Sequence, residues 1–350
     1  MKIALCALTK NGAVLASSLA NRLDVDCYLK HPFGGAAMAT VFDGSLKDLI
    51  KKVYDQYDAF IMVMACGIAV RAFAPLLQAK DRDPAVVVMD EKGQYAISLL
   101  SGHLGGANAL TERIAALTGA APVITTATDI NKMPAFDLFA KANDCAIENL
   151  DALKYISGAL VNGKKVAIYS DFPIAGELPP GVNLYRGKSS ENLVVISDAV
   201  KEETPRGEHT LYLRPRCLYL GCGCKKQTDP AKLRRAVADF LKQSGYSELS
   251  LKALCSIDLK KEEPCLLTLA AEREIPFYTF TGQELGTVAV ESGSAFVERV
   301  TGVKSVAEAA AKRAAKGETL IGKTVYDGIT LSLAKKEVTL TWNRTEKNHE

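Results

Sequence analysis

The stretch "SLLSGHLGGANAL", Ser98 to Leu110, sets one imidazole among three glycines. Histidine is the side chain that ordinarily titrates near neutrality, so His103 has the chemistry of a general base. Glycines where a strand gives way to a helix leave backbone amides open to an anion. The order Gly102-His103-Leu104-Gly105-Gly106 is neither the G-x-G-x-x-G of a dinucleotide fold nor a phosphate loop, since no Gly-Lys-Ser/Thr follows. Asp129, which closes the next strand, stands where a ribose-binding acid sits in a Rossmann unit, and this keeps a nucleotide-dependent enzyme among the alternatives. A turn residue with a satisfied hydrogen bond is the plain alternative for His103. Of the other histidines, His31 precedes a proline, His209 is read in a polar linker and His349 in the tail.

Other stretches offer related chemistry. In "CGIAVRAFAPLL", Gly67 opens a helix and Arg71 lies one turn inside it, either as a solvated residue or as a fork of donors for a carboxylate. "TTATD" adds Thr125, Thr126 and Asp129 at a strand end, where turn capping competes with ligand contact. In "GCGCKKQT", Cys222 and Cys224 are too closely spaced, and too isolated from a second pair, for a convincing zinc site. Gly221 and Gly223 at a strand end, followed by Lys225 and Lys226, read better as an anion-accepting turn, with a solvated lysine pair as the alternative.

These residues need elements to position them. "KIALCAL", "AFIMVMA" and "PVITT" read as strands, "NGAVLASSLANRL" and "GIAVRAFAPLL" as helices, and "PAVVVMDEKGQYAISLL" as a hairpin turning through Glu91-Lys92-Gly93. The helix after His103 puts Ala107, Leu110, Ile114 and Leu117 on one face and stops at Gly119. Alternation of apolar strands with helices predicts a mostly parallel sheet covered on both faces, over residues 1–133. Because ligands of open α/β sheets lie at the carboxyl ends of strands, His103 is expected there, with Arg71 facing the same crevice if it contributes.

A small α/β middle unit is expected over 134–213, with helices in "FDLFAKAND" and "LDALKYISGALVNG" and strands in "KKVAIYSD" and "NLVVISD". A C-terminal α/β unit is expected over 214–338, and a polar tail over 339–350. In that last unit the strand "RCLYLGCGC" precedes a helix punctuated by Asp229-Pro230 and Gly245, and a hairpin turns at Asp327-Gly328.

The chain has 350 residues, 48% hydrophobic and 24% charged, with a net charge of +3. That is the composition of a globular protein of more than one domain, with no global attraction for nucleic acid. Nine cysteines, an odd number, and an opening segment without a secretory signal point to reduced thiols in the cytoplasm. No apolar run reaches the ~18 residues that would cross a bilayer.

Taken together, "CGIAVRAFAPLL", "DPAVVVMDEKGQYAISLLSGHLGGANAL", "APVITTATD", "GCGCKKQT", "SIDLKKEEP" and "SVAEAAA" resemble, in that order, the cobalamin-biosynthesis protein G family, the cobalt-precorrin-5A hydrolases. The resemblance covers most of 58–130 and 217–335. It departs where family members carry an aliphatic residue at Cys222, Arg-Arg at Lys225-Lys226 and glycine at Gln227; the positive charge is kept. It implies hydrolysis of a δ-lactone on a ring-contracted cobalt corrinoid, with loss of two carbons as acetaldehyde, in the oxygen-independent route to cobalamin. Under it His103 becomes the candidate base with Asp129 orienting it, or else an axial contact to the substrate's cobalt. Substrate contacts are then expected from Gly67, Arg71, Ser101, Gly102, Gly105, Gly106, Asn108, Thr125, Thr126, Gly221, Gly223, Lys225 and Lys226. No metal is expected beyond the cobalt of the substrate. The expected partner is this corrinoid, with no nucleic acid or membrane; handover to other enzymes of the route, and self-association, stay open. A non-catalytic tetrapyrrole carrier is the alternative from another class.

Overall fold

A computed structural model describes residues 1–31, 39–79, 82–103, 105–126, 133–290 and 305–342. The chain divides into two compact units, residues 1–133 and 134–350.

The first unit is built on seven strands: β1 (Ile3–Ala7), β2 (Asp26–Leu29), β3 (Thr40–Val41), β4 (Ala59–Val63), β5 (Ala85–Met89), β6 (Tyr95–Leu100) and β7 (Ala121–Val123). They lie in the order β3-β2-β1-β4-β5-β6-β7. Every neighbouring pair is parallel except β5 and β6, which form the hairpin. Strands β1, β4 and β5 are buried along their whole length, as a sheet covered on both faces requires. Alternate residues serve opposite faces. Leu5, Ile61 and Val87 pack with α1 (Lys10–Ala20) and α4 (Ala107–Thr118) through Ala16, Leu19, Leu110 and Ile114. Cys6, Met62 and Val88 pack with α2 (Leu46–Val53) and α3 (Cys66–Phe73) through Ile50 and Phe73. Helix α4 stops at Gly119, as its sequence predicts.

The second unit contains two five-stranded sheets. One joins β8 (Cys145–Ile147), β9 (Val166–Ser170), β11 (Val182–Leu184), β12 (Asn192–Ile196) and β13 (His209–Pro215), in the order β11-β9-β12-β13-β8, with helices α5 (Phe136–Ala142) and α6 (Leu150–Val161). The other joins β14 (Leu218–Cys224), β15 (Leu251–Ile257), β16 (Phe277–Phe280), β17 (Glu318–Tyr326) and β18 (Ile329–Lys335), in the order β16-β15-β14-β18-β17. Its helices are α7 (Pro230–Ser244), α8 (Pro264–Glu272), α9 (Gly282–Gly286) and α10 (Val306–Ala315). Asp229 caps α7 by accepting the Ala231 N–H at 3.1 Å, and Gly245 closes it in the left-handed region. Buried Asp198, beyond β12, pairs with Lys335 Nζ at 2.7 Å and so ties the two sheets together.

Two expectations are corrected here. His209 is not in a linker: it opens β13, and its ring stacks on Tyr155 with centroids 4.3 Å apart. Residues 339–342 are not a loose tail. Strand β19 (Leu340–Thr341) pairs in parallel with β10 (Ile174–Ala175), and Trp342 packs against Phe139 at 4.4 Å and Phe136 at 5.3 Å. Asn143 fixes the join by donating to Thr341 O at 3.0 Å and accepting from Thr341 N–H at 2.8 Å. The sequence hides this because a two-residue strand carries no periodicity of its own. Among the described residues, no helix is long and apolar enough to cross a membrane.

Candidate active site

The His103 loop is shaped by its own backbone. Strand β6 ends at Leu100; Ser101 then enters the left-handed region, with φ of 56°, and its carbonyl accepts the Ala107 N–H at 3.1 Å. Gly102 O accepts the Asn108 N–H, and His103 O accepts the Gly106 N–H, each at 3.0 Å. Gly105 cannot be any other residue without moving the loop, because a Cβ there would lie 2.4 Å from Ser101 Cβ and 2.7 Å from its carbonyl oxygen. Gly106 is the N-cap of α4. Asn108 is buried at the centre: its Oδ1 accepts from Ser98 Oγ at 2.6 Å and its Nδ2 donates to Thr126 Oγ1 at 3.1 Å. His103 is half-buried beside it, with an interaction partner of its own.

Ser101, Gly102, His103, Gly105, Gly106, Asn108 and Thr126 therefore form one cluster, with Thr125 exposed at its rim. Ser98 belongs to it and escapes the sequence reading; a hydroxyl inside the apolar run "YAISLL" is the signal that could have found it. Asp129, expected to orient His103, lies outside the described residues.

The location of the cluster corrects an expectation. In the hairpin, Leu100 pairs with Val86 and Ala96 with Met89, so β6 finishes where β5 begins. The amino ends of β1, β4 and β5 are level, with Ile3 opposite Ala59 and Ala59 opposite Ala85. His103 thus stands at the amino-terminal edge of these strands; a Cβ on neighbouring Gly106 would meet Met1 Cε at 3.1 Å. Gly67 and Arg71 follow β4 and stand at the opposite edge, roughly 15 Å away along the strands. They do not share a crevice with His103. Arg71 is exposed, and its Nη1 donates to Gly67 O at 2.9 Å, one turn back in α3.

That carboxyl edge carries features of its own. The strand order reverses direction between β1 and β4, the usual place for a ligand crevice in an open α/β sheet. Thr9 caps α1 by accepting the Gly12 N–H at 3.0 Å, and its hydroxyl donates to Glu91 Oε2 at 2.7 Å. The run "LTKNG" after the first strand was the available sign of this rim.

In the second unit the Gly221–Lys226 segment splits into two roles. Gly221 is buried beneath α10, where a Cβ would lie 1.8 Å from Ala307 O. It is a packing glycine and not a substrate contact, because helix covers it. Gly223, Cys224 and Lys225 line a cavity of about 370 Å³ with Ser256, Ile257, Lys260, Ser305 and Lys323. Lys226 is exposed and outside that lining. Lys260 comes from the "SIDLKKEEP" stretch, whereas Ser305 and Lys323 join only through the tertiary fold.

Glu263 organises the floor of this region. Burial pushes its carboxyl up, but hydrogen bonds from Lys260 Nζ at 2.9 Å and the Gln227 N–H at 2.7 Å together hold it below the ordinary carboxylate range. Gln227 occupies the left-handed region, with φ of 60°, a conformation that favours glycine. Cys224 meets Cys265 rather than Cys222, with sulfurs 3.8 Å apart. The donor atoms of Cys224, Cys265 and Glu263 lie within 4.8 Å of one another, a set able to hold a borderline-soft cation. Burial pushes the Cys224 thiol up to about 12, Cys265 adds to this, and the nearby Lys260 opposes it.

Family models match most of the chain: one described as Cobalamin synthesis G N-terminal at residues 48–129, Cobalamin biosynthesis central region at 134–215, and Cobalamin synthesis G C-terminus at 218–334. The chain is 37% identical over 345 residues to the cobalt-precorrin-5A hydrolase of Salmonella typhimurium, covering 95% of this chain and 97% of that one. It is 33% identical to the cobalt-precorrin-5A hydrolase of Priestia megaterium, covering 95% and 94%. A crystal structure of a cobalamin biosynthesis protein G homolog from Sulfolobus solfataricus aligns over 96% of this chain and 97% of that one, at 19% identity and a TM-score of 0.41.

Proposed function

The chain belongs to the cobalamin synthesis G family, and from that premise we propose that it carries out the cobalt-precorrin-5A hydrolase reaction. The observation that carries this reading is the end-to-end match, at 37% identity, to a protein of that name. A match over one domain would have supported only a shared fold.

The reaction consumes one water. Attack on the lactone carbonyl needs a base to take a proton from water and donors for the developing oxyanion. Opening the ester leaves an acid on the macrocycle and an alcohol on the two-carbon unit. When that alcohol loses its proton, its oxygen electrons form the carbonyl of acetaldehyde. The carbon–carbon bond to the ring then breaks, and its electron pair stays in the macrocycle.

His103 is the residue proposed to take the proton from water. Its support is the half-buried setting in a loop whose backbone is held by hydrogen bonds from Gly106, Ala107 and Asn108 and whose centre is the fixed Asn108 side chain. Ser101, Gly102 and Thr126 then contact the same reacting end of the substrate. Anaerobic incubation with cobalt-precorrin-5A is the test. One acetaldehyde per corrinoid consumed is the expected result, and folded protein that releases none overturns the proposal.

A further inference from the structure

The cavity at the carboxyl ends of β14 and β15 has a chemistry that the hydrolytic step does not use. Lys225, Lys260 and Lys323 line its wall. Only Lys260 has a carboxylate partner, Glu263; Lys225 and Lys323 form no ion pair among the described residues. Lys225 also feels the Asp327 carboxylate, which pairs with Lys232 at 2.5 Å, so the charge left without a nearby carboxylate partner is that of Lys323.

A second observation is independent of the lysines. Ser305, Val306 and Ala307 line the same cavity and form the start of the ten-residue helix α10. The first amides of a helix have no partner within it, and they favour an anion. Ser305 stands at the N-cap but makes no capping bond. It is 2% exposed, and its Oγ has no hydrogen-bond partner among the described residues. Buried hydroxyls in folded proteins are nearly always paired, so an unpaired one at a cavity wall marks a place for a ligand's oxygen. Glu308, in the same turn, has an interaction partner of its own. The remaining wall is largely apolar, through Ile257, Leu259, Val306 and Ala307.

We propose that this cavity receives a carboxylate arm of the corrinoid. The N-terminal turn of α10 and Ser305 bind its oxygens, Lys323 and Lys225 supply the charge, and Ile257 and Val306 receive the apolar stem of the arm. The proposal rests on the corrinoid reading above and deepens it. A neutral apolar ligand would leave both the lysines and Ser305 unused.

The test titrates the full chain by visible absorbance with two probes: a cobalt corrinoid bearing free carboxylate arms, and the same ring with every arm converted to an amide. Lys323→Gln is expected to weaken the acid ring about 10-fold, the worth of a charge-assisted bond, and to leave the amide ring unchanged. Ser305→Ala is expected to weaken the acid ring several-fold while leaving Tm unchanged, since no bond is lost in the free protein; it therefore gives a reading even if Lys323→Gln folds poorly. In turnover, both variants should raise KM with little change in kcat. Unchanged affinity for the acid ring in the folded variants, or equal losses for both rings, overturns the proposal. Wild-type protein that discriminates the rings as expected but releases no acetaldehyde overturns the hydrolase reading and leaves the carboxylate pocket standing. Acetaldehyde release with KM unchanged in both variants does the reverse.

Discussion

Asn108 holds the His103 loop through its side chain, as Gly105 does through the lack of one. Its side chain is buried and bridges Ser98 on β6 to Thr126 beyond β7, which ties the start of α4 to both strands. Asn108→Ala would leave two hydroxyls to find new partners and should cost about 1–3 kcal/mol in a urea titration. His103→Ala should keep the fold and slow lactone opening roughly 100-fold or more. If the imidazole instead contacts cobalt, the variant will change the visible spectrum of the bound corrinoid, which loss of a base will not. Gln227 offers a test of opposite sign. It holds a glycine-favouring conformation while its N–H serves Glu263, so Gln227→Gly should keep that bond and raise stability by about 0.5–1 kcal/mol.

At the scale of elements, α10 lies on β14 at Gly221, one of the two positions where the strand has no side chain. Gly221→Ala would drive a methyl into the Ala307 carbonyl, and the helix would have to lift. The expected cost is about 1–3 kcal/mol, read as a lower melting temperature, with looser binding in the cavity that α10 walls. Much of this architecture is legible in the sequence: the buried runs of β1, β4 and β5, the Asp229 cap and Gly245 stop of α7, and the hairpins at Gly93 and Gly328. Strand direction is the part that periodicity conceals. The hairpin itself is legible, yet its consequence is that β6 carries His103 back to the amino-terminal edge, away from Arg71. The edge of a sheet that a residue reaches depends on every turn before it. Strands β2, β3 and β19 are hidden for another reason: they are two to four residues long, too short to show alternation.

Across the whole molecule, nine free thiols divide between fully and partly buried positions. Burial pushes Cys27 up to about 11 and Cys145 and Cys224 up to about 12, against an ordinary value of 9.0. The unfolded chain therefore releases these protons first, so each thiol's contribution is fully present below about pH 9 and is lost as pH rises toward the folded values. The urea midpoint should hold steady from pH 7 to pH 8.5 and fall by pH 10.5; a midpoint that stays level across that range would contradict the burial of these thiols.

The join between Asn143 and Thr341 has a consequence in time. These residues are 198 positions apart, yet the packing of α5 against Trp342 depends on their meeting. At ordinary rates of synthesis about 10–40 s separate their emergence from the ribosome. Throughout that interval Phe136 and Phe139 lack the indole that they pack against in the folded chain.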